Sequence, residues 1–432
     1  MNARELAYDA LIKSDVSSSF SNIEINTALL RYSFSKEDSA LFTALYMGVI
    51  EKKITLDYII SKYSKIKVEN LDINIKTSLR MGIYQILFMD KIPEYSAVNE
   101  SVKLVPEKAK GFVNAVLRSF LRNGKAVDYP KDRKKYISVT YSVSEDIIDI
   151  LGESFGSDSV ETLLKDLSFR QGISLRINRL KTSKEEIESY LNERNIKYES
   201  NKLSDNILIV FASVSDISEL LSKGYVFVQD PSSCTFVDIL SPKKGDRILD
   251  ACACPGGKSF SCAIHMDNTG EVISCDLHKN KMSLIENGAK KLGIDIIKTM
   301  EQNAKEYRKE FESYFDIVIC DVPCSGIGVI SKKPEIRYKT RREIDPLPST
   351  QIEILNNCSK YVKPGGLLSY STCTLNKHEN EEIVNNFLST NKDFIMEDFS
   401  CADIQSNKGM YVFMPNISGN DGFFMAKLRR VK

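Results

Sequence analysis

The spacing of apolar positions changes character along the chain. Up to about residue 125 it is helical: Phe112/Val113, Val116/Leu117 and Phe120/Leu121 recur at intervals of about four, the spacing of one buried stripe. Leu41, Leu45 and Val49 repeat the pattern, as do Leu79, Ile83 and Leu87. Alternation of strand type is scarce there, so an all-α domain is predicted over 1–128, ended by the breakers Asn123-Gly124 and Tyr129-Pro130. From 138 to 225 the pattern is mixed. Ile173 to Ile177 alternates like a strand, Ser183 to Asn192 reads as a helix capped by Ser183, and Asn206 to Ala212 is apolar enough for a second strand. This predicts a small central α+β module.

From 226 to 432 short apolar runs alternate with helical stretches. The runs are Arg247–Ala251, Glu271–Asp276, Ile294–Met300, Phe315–Asp321 and Leu367–Tyr370, each of buried-strand type. Two late runs, Tyr411–Met414 and Gly422–Leu428, have no helix between them. The alternation predicts a doubly wound α/β sheet, and the closing hairpin adds an antiparallel strand to it. The fold class is therefore multidomain: all-α, then α+β, then α/β.

Composition fits this picture. A chain of 432 residues with 42% apolar and 27% charged residues has room for two or three domains with sizeable cores. No apolar run reaches the ~18 residues of a membrane span, and Glu5, Asp9 and Asp15 sit where a signal peptide would be basic. A cytoplasmic protein with no membrane partner is expected. Ten cysteines in so long a chain fit reduced thiols, and neither Cys252-x-Cys254 nor the three histidines, His265, His278 and His378, give a paired ligand spacing, so no metal is expected. Net charge is +1, but residues 1–135 hold 22 Lys or Arg against 16 Asp or Glu. A basic run from Lys332 to Arg342 is opposed only by Glu335. Such runs are commonly solvated faces; this one follows a Pro-Cys segment, where a grip on phosphate would serve a nucleic-acid enzyme.

The chemistry is concentrated in three segments of the last domain. Asp250-Ala-Cys-Ala-Cys-Pro-Gly-Gly-Lys258 follows a strand and opens a helix, the place where α/β folds bind nucleotide-like ligands. Gly256 and Gly257 allow close backbone approach, and Asp276, at the end of the next strand, is placed to take both ribose hydroxyls. The loop is neither a P-loop nor G-x-G-x-x-G, which counts against a dinucleotide. Asp321-Val-Pro-Cys324-Ser-Gly and Ser371-Thr-Cys373-Thr both follow strand ends, so the two thiols can meet over one crevice. Carbon 5 of cytosine is a poor nucleophile until a thiolate adds to carbon 6, so thiols beside a nucleotide-type loop point to methyl transfer onto a pyrimidine. Cys234, Cys262, Cys275 and Cys320 read as small buried residues. Lys258 is the candidate for lowering a thiol pKa, with His378 a weaker one. Asp321 could accept from the cytosine amine, donate to ring nitrogen 3 if protonated, or hold the amino group of the methyl donor.

These three segments resemble the motifs of the RNA cytosine-C5 methyltransferases of the Nop2/Sun group, which use S-adenosylmethionine. Gly111-Phe-Val-Asn-Ala-Val-Leu-Arg118, preceded by Pro93 and Ala97-Val98-Asn99-Glu100, resembles the NusB-like domain of the bacterial Sun (RsmB) branch, which methylates a cytosine of 16S ribosomal RNA. The likeness spans essentially the whole chain and is weakest from 138 to 225. It implies a helical RNA-binding domain, an RNA-positioning central module and a Rossmann-like methyltransferase fold, acting as a monomer on 16S ribosomal RNA. It implies Cys373 as the nucleophile, Cys324 for adduct release, and Asp321 and Lys258 beside them. The donor-binding positions it implies are Cys252, Ala253, Cys254, Pro255, Gly256, Gly257, Lys258, Asp276 and Asp321. Cys254 stands where the family usually has alanine. Gln302-Asn303 stands where an acid is common near the adenine, and Asn303 is the expected replacement. The same reaction on transfer RNA, or a non-enzymatic RNA-binding scaffold, are the alternatives; the intact cysteines and glycine loop argue against the scaffold.

Overall fold

The computed structural model describes residues 2–17, 34–169, 172–415 and 419–432. Two compact units are present, one formed by residues up to Lys165 together with Ile330–Thr340, the other by Asp166–Val329 and Arg341–Lys432.

The first unit is helical. Helices Lys36–Glu51, Ile73–Phe88 and Glu107–Arg122 carry the three stripes read from the sequence, with Leu45, Val49, Leu79, Ile83, Val113, Val116, Leu117 and Phe120 buried in one core. Local chemistry sets their starts: Ser35 and Asp72 accept from backbone N–H groups of the first turn, and Pro106 precedes Glu107. Three more helices follow, Arg133–Tyr141, Glu145–Phe155 and Val160–Ser168, the first two capped by Asp132 and Ser144. Part of the basic excess of the first 135 residues, Lys131 to Lys135, thus lies at a helix start, with Arg133 paired to Glu161 and Lys134 to Asp149. Tyr338 supplies what a helix junction lacks: its hydroxyl meets the carbonyl oxygens of Ile50 and Glu51 and accepts from Lys53 N–H. Arg337 is fully buried, donating to the Tyr141 carbonyl and facing Glu51 at 3.9 Å. It is therefore a packing residue of this unit rather than part of a phosphate grip.

A buried ion cluster ties the first unit together. Arg80 is 5% exposed; it grips both oxygens of Asp57, at 2.6 and 2.7 Å, and Asp15 at 2.6 Å. Burial raises the Asp15 carboxyl, but Arg80 and Lys53 more than offset this and its pKa lies below the ordinary value.

The second unit contains two sheets. Strands β1 (Ile173–Ile177), β2 (Tyr198–Ser200), β3 (Ile207–Val210) and β4 (Val226–Val228) form an antiparallel sheet in the order β2-β3-β1-β4. Helix Lys184–Glu193 belongs to the same module and starts with a capping box between Ser183 and Glu186. The larger sheet holds β5 (Arg247–Asp250), β6 (Glu271–Asp276), β7 (Ile297–Glu301), β8 (Phe315–Asp321), β9 (Val362–Thr372), β10 (Phe394–Met396) and, after a two-stranded ribbon of β11 (Ser400–Cys401) and β12 (Ile404–Gln405), β13 (Met410–Phe413) and β14 (Phe423–Arg430). Its order is β10-β14-β9-β8-β5-β6-β7, with β13 also on β14. From β5 to β9 the neighbours are parallel, and β14 returns antiparallel beside β9. The chain moves outward from β5 through β6 and β7, then restarts on the other side of β5 with β8. The carboxyl ends of β5 and β8 therefore flank a topological switch point, the position at which such sheets bind ligands.

At that point Asp250 is 1% exposed, accepts from the Ser259 hydroxyl at 2.7 Å, and has its pKa raised to about 6, chiefly by burial.

Two stability measurements follow from these buried charges. Arg80→Ala strands two carboxylates that remain partly solvated, and a loss of about 2–3 kcal/mol is expected in urea unfolding of the full chain; a change below ~0.5 kcal/mol would show that the cluster carries no net weight. For Asp250 the folded pKa lies above the unfolded one. Its contribution is thus present below about pH 4 and lost as pH rises through about 6. Two pKa steps correspond to roughly 3 kcal/mol. Asp250→Asn is expected to gain stability over the wild type progressively between pH 4 and 7, read as a growing difference in melting temperature; a pH-independent difference would contradict the assignment.

Candidate active site

The glycine loop connects β5 to helix Gly257–His265. Ala251 N–H donates to Ile319 on β8 and Ala253 N–H to Cys275 on β6, so the loop is stitched to both neighbours of β5. Gly256 has φ +106, and a Cβ there would lie 2.5 Å from the Phe260 ring. Glycine is thus required at 256 by the fold itself, whereas a Cβ at Gly257 would meet only Gln229 at 3.5 Å. Gln229 fixes the first turn of this helix by donating to the Gly257 carbonyl at 3.0 Å and accepting from Ser261 at 2.9 Å. Arg176, fully buried on β1, lies 3.5 Å from the same Gln229 oxygen, so the small sheet braces the loop from behind.

Three carboxylates surround the loop. Asp276, closing β6, accepts from His278 N–H at 3.0 Å and has Lys281 at 3.9 Å. Asp321, closing β8, accepts from Lys258 Nζ at 2.6 Å and from the Ser371 hydroxyl at 2.7 Å. Lys258 is 11% exposed and lies over the rings of Phe236 and Phe423, at 5.6 and 5.1 Å. Burial pulls its pKa down, but Asp321, Asp250 and Cys373 together hold it above the ordinary lysine value. It is thus a fixed cation, too protonated to act as a base at neutral pH. Asn303, just past β7, uses its side-chain oxygen to accept from Lys305 N–H and its amide to reach Glu306. Gln302 N–H donates to the Asp276 carbonyl, bringing this turn to the end of β6. Cys252 and Cys254 are partly exposed in the loop.

The two thiols expected to meet do so. Cys324 Sγ and Cys373 Sγ are 3.3 Å apart. The Cys324 thiol pKa is pushed well up, first by its hydrogen bond with Cys373, then by burial and by the charges of Cys373, Glu379 and Asp321. Of two thiols in contact, ionisation of one holds the proton on the other. Gly328 N–H donates to the Cys373 carbonyl, and a Cβ at Gly328 would strike the Gly422 carbonyl oxygen at 1.9 Å. Three backbones therefore cross at this edge, and glycine is needed where they touch.

Several residues that sequence reasoning did not single out build the support. Ser325 and Thr374 share a hydrogen bond of 2.7 Å between hydroxyls, Gln351 donates to the Pro323 carbonyl at 3.0 Å, and fully buried Glu379 accepts from Ser325 N–H at 2.8 Å. His378 pairs with Glu382 at 2.7 Å on the following helix. Cys234, Cys262, Cys275 and Cys320 are buried, as small apolar residues would be. Among the described residues no group of three or more His, Cys, Asp or Glu side chains is placed to hold a metal, and no helix is long and apolar enough to cross a membrane.

Comparison with known proteins gives the family. A family model described as 16S rRNA methyltransferase RsmB/F matches residues 237–429, and the NusB family model matches residues 1–122. The chain is similar to the probable ribosomal RNA small subunit methyltransferase B of Bacillus subtilis, 32% identical with 99% of each chain covered. It is also similar to that of Synechocystis, 29% identical with both chains covered in full. Among solved structures, that of PH0851 superposes with a TM-score of 0.83 at 24% identity, covering 100% of this chain and 99% of the other. NSun6 from Pyrococcus horikoshii, solved with SFG, gives 0.60 at 22% identity over 67% of this chain and 98% of its own. The two structures share the fold. Full-length identity of nearly one residue in three with one relative, together with both domain matches, places the chain in the RsmB/F family of ribosomal RNA small subunit methyltransferases.

Proposed function

We propose that this methyltransferase moves a methyl group from S-adenosylmethionine to carbon 5 of a cytosine in 16S ribosomal RNA, through a covalent bond between Cys373 and carbon 6. The observation that carries the reading is the 3.3 Å contact between Cys324 and Cys373 beside the glycine loop. Thiols in contact past two neighbouring strand ends are wasteful as packing and useful as a nucleophile with a proton-handling partner.

The residues at the switch point fit a cationic nucleoside donor. Asp250, Asp276 and Asp321 outnumber Lys258, whose charge is committed to Asp321, and Lys281 beside Asp276, so the site suits a sulfonium and an ammonium group better than a pyrophosphate. Asp276 would hold the ribose hydroxyls, Asn303 the adenine edge, the Cys252 to Lys258 loop the remainder, and Asp321 the amino group. When bound, the donor supplies an activated methyl group. The substrate cytosine must leave any stack to bring carbon 6 to Cys373.

The chain's own residues account for the proton traffic. The Cys373 thiolate adds to carbon 6, making carbon 5 an enamine carbon able to take the methyl group. Cys373 is then a neutral thioether, so the main cause holding Cys324 protonated is gone. Cys324 can ionise to solvent, take the proton from carbon 5, and let the bond from carbon 6 to Cys373 break. The proton lost to solvent is the one that methylation releases overall, and both thiols return to their starting state. The family match extends to relatives named for ribosomal RNA of the small subunit, which supports 16S RNA over transfer RNA. The helical unit, matching the NusB family and basic in its first 135 residues, would add grip on the RNA.

The separated roles make different intermediates. Cys324→Ala is expected to accumulate a covalent protein–RNA adduct that resists denaturing electrophoresis, while Cys373→Ala forms none and loses turnover by ~10³-fold or more; the reverse pattern would exchange the roles. Asp276→Ala is expected to weaken donor binding by ~10- to 100-fold in calorimetry, the cost of a charged hydrogen-bond acceptor; unchanged affinity would remove Asp276 from the site. Bisulfite sequencing of 16S ribosomal RNA from cells with and without the protein is expected to differ at a cytosine, and no difference would direct attention to another RNA.

A further inference from the structure

The carboxylate of Glu379 hydrogen-bonds to neither thiol, yet it anchors the Cys324 segment on both sides and reaches Asn376, just past Cys373. It is 0% exposed. A buried carboxylate is costly unless its oxygens are filled, and here the donors that fill them are all neutral. Oε2 accepts from Ser325 N–H at 2.8 Å and from the Gln351 amide at 2.9 Å, and Oε1 accepts from the Asn376 amide at 3.0 Å. Gln351 spends its amide a second time on the Pro323 carbonyl at 3.0 Å. Cys324 is therefore held by the residue before it and the residue after it, both tied to one carboxylate. Cys373 is held from the same stretch of chain: Asn380 accepts from the Thr372 hydroxyl at 2.6 Å and donates to the Thr374 carbonyl at 3.0 Å. The Ser325 and Thr374 hydroxyls close the link at 2.7 Å.

We propose that Glu379 is a positioning residue for the two-thiol chemistry: it fixes the Cys324 loop against the Cys373 turn, so that Cys324 can reach the proton that must leave carbon 5. This rests on the reading of Cys373 as nucleophile and Cys324 as the releasing thiol. Glu379 acts on release through Cys324, not on attack through Cys373. Gln at this position would present an amide N–H₂ to a donor that now meets an oxygen, loosening the Cys324 loop while leaving the donor site untouched.

The test compares single-turnover methyl transfer with multiple turnover and trapped adduct in the full-length protein, using 16S ribosomal RNA and labelled S-adenosylmethionine. Glu379→Gln is expected to slow turnover by ~10- to 100-fold, the scale of a ~1 Å misplacement. Single-turnover transfer should change by less than ~3-fold and the affinity for S-adenosylmethionine should not change, with adduct accumulating as in Cys324→Ala. In the Cys324→Ala background Glu379→Gln should add nothing. If Glu379→Gln does not fold, Gln351→Met, which cuts the tie to Pro323, is expected to give the same release defect at ~3- to 10-fold. Equal loss of single and multiple turnover, or no adduct in these variants while Cys324→Ala still accumulates it, would overturn the positioning role and leave the two-thiol reaction intact. No adduct even in Cys324→Ala would instead bring down the reaction on which the role rests.

Discussion

Two thiol groups packed 3.3 Å apart are an arrangement a protein must enforce, because neither sulfur gains much from the other and ionisation of one opposes ionisation of its neighbour. Here the enforcement comes from a desolvated carboxylate. Glu379 can remain buried only if its oxygens stay filled, and the groups that fill them are Ser325 N–H beside Cys324, the Asn376 amide just past Cys373, and Gln351, whose amide also holds the Pro323 carbonyl. The electrostatic cost of burying Glu379 thus becomes a geometric constraint on the thiols. The same logic operates beside the glycine loop, where Lys258 stays buried because Asp321 holds it and two aromatic rings cover it.

The sheet places these groups. Because β8 and β9 lie side by side, Asp321 and Ser371 stand in register at their carboxyl ends, and the segments that follow turn over the same edge. Because β5 lies on the other side of β8, the glycine loop opens onto that edge too. Glycine loop and thiol pair are then neighbours by topology, and side-chain chemistry only has to refine distances. The antiparallel β14 completes the arrangement by bringing Gly422 against Gly328, which clamps the turn after Cys324.

Much of this was legible in the sequence where a local pattern determines the outcome. Glu271–Asp276 and Phe315–Asp321 are strands over the residues read from their apolar runs, since a strand buried on both faces writes itself as an unbroken apolar stretch. Ile294–Met300 is less direct: Gly293 ends the preceding helix with φ +73, Ile294 packs with that helix, and the strand starts at Ile297. Leu367–Tyr370 is the core of a longer strand, Val362–Thr372, whose Pro364 and Gly365 fall in an irregularity opposite Asp316. The helices at 133–168 went unread because Ser138, Ser142 and Ser144 interrupt the apolar spacing while serving as caps and buried hydrogen-bond partners.

For the site, the thiols, the glycine loop and Asp276 were legible because each sits at a strand end, a position that sequence reveals. Glu379 and Gln351 were not. Each looks like an ordinary helix-surface residue, and only a fold that joins Ser325 to Glu379 across 54 positions makes them interior. Arg337 shows the converse, since a basic residue in a charged run is buried at 0% exposure. Incubation of the protein with S-adenosylmethionine and 16S ribosomal RNA carrying 5-fluorocytosine, whose fluorine cannot leave as the proton does, followed by mass spectrometry of the digested adduct, tests the central claim most directly. The account predicts a methylated fluorocytosine joined to the peptide that contains Cys373; attachment to the Cys324 peptide, or no covalent attachment, would contradict it.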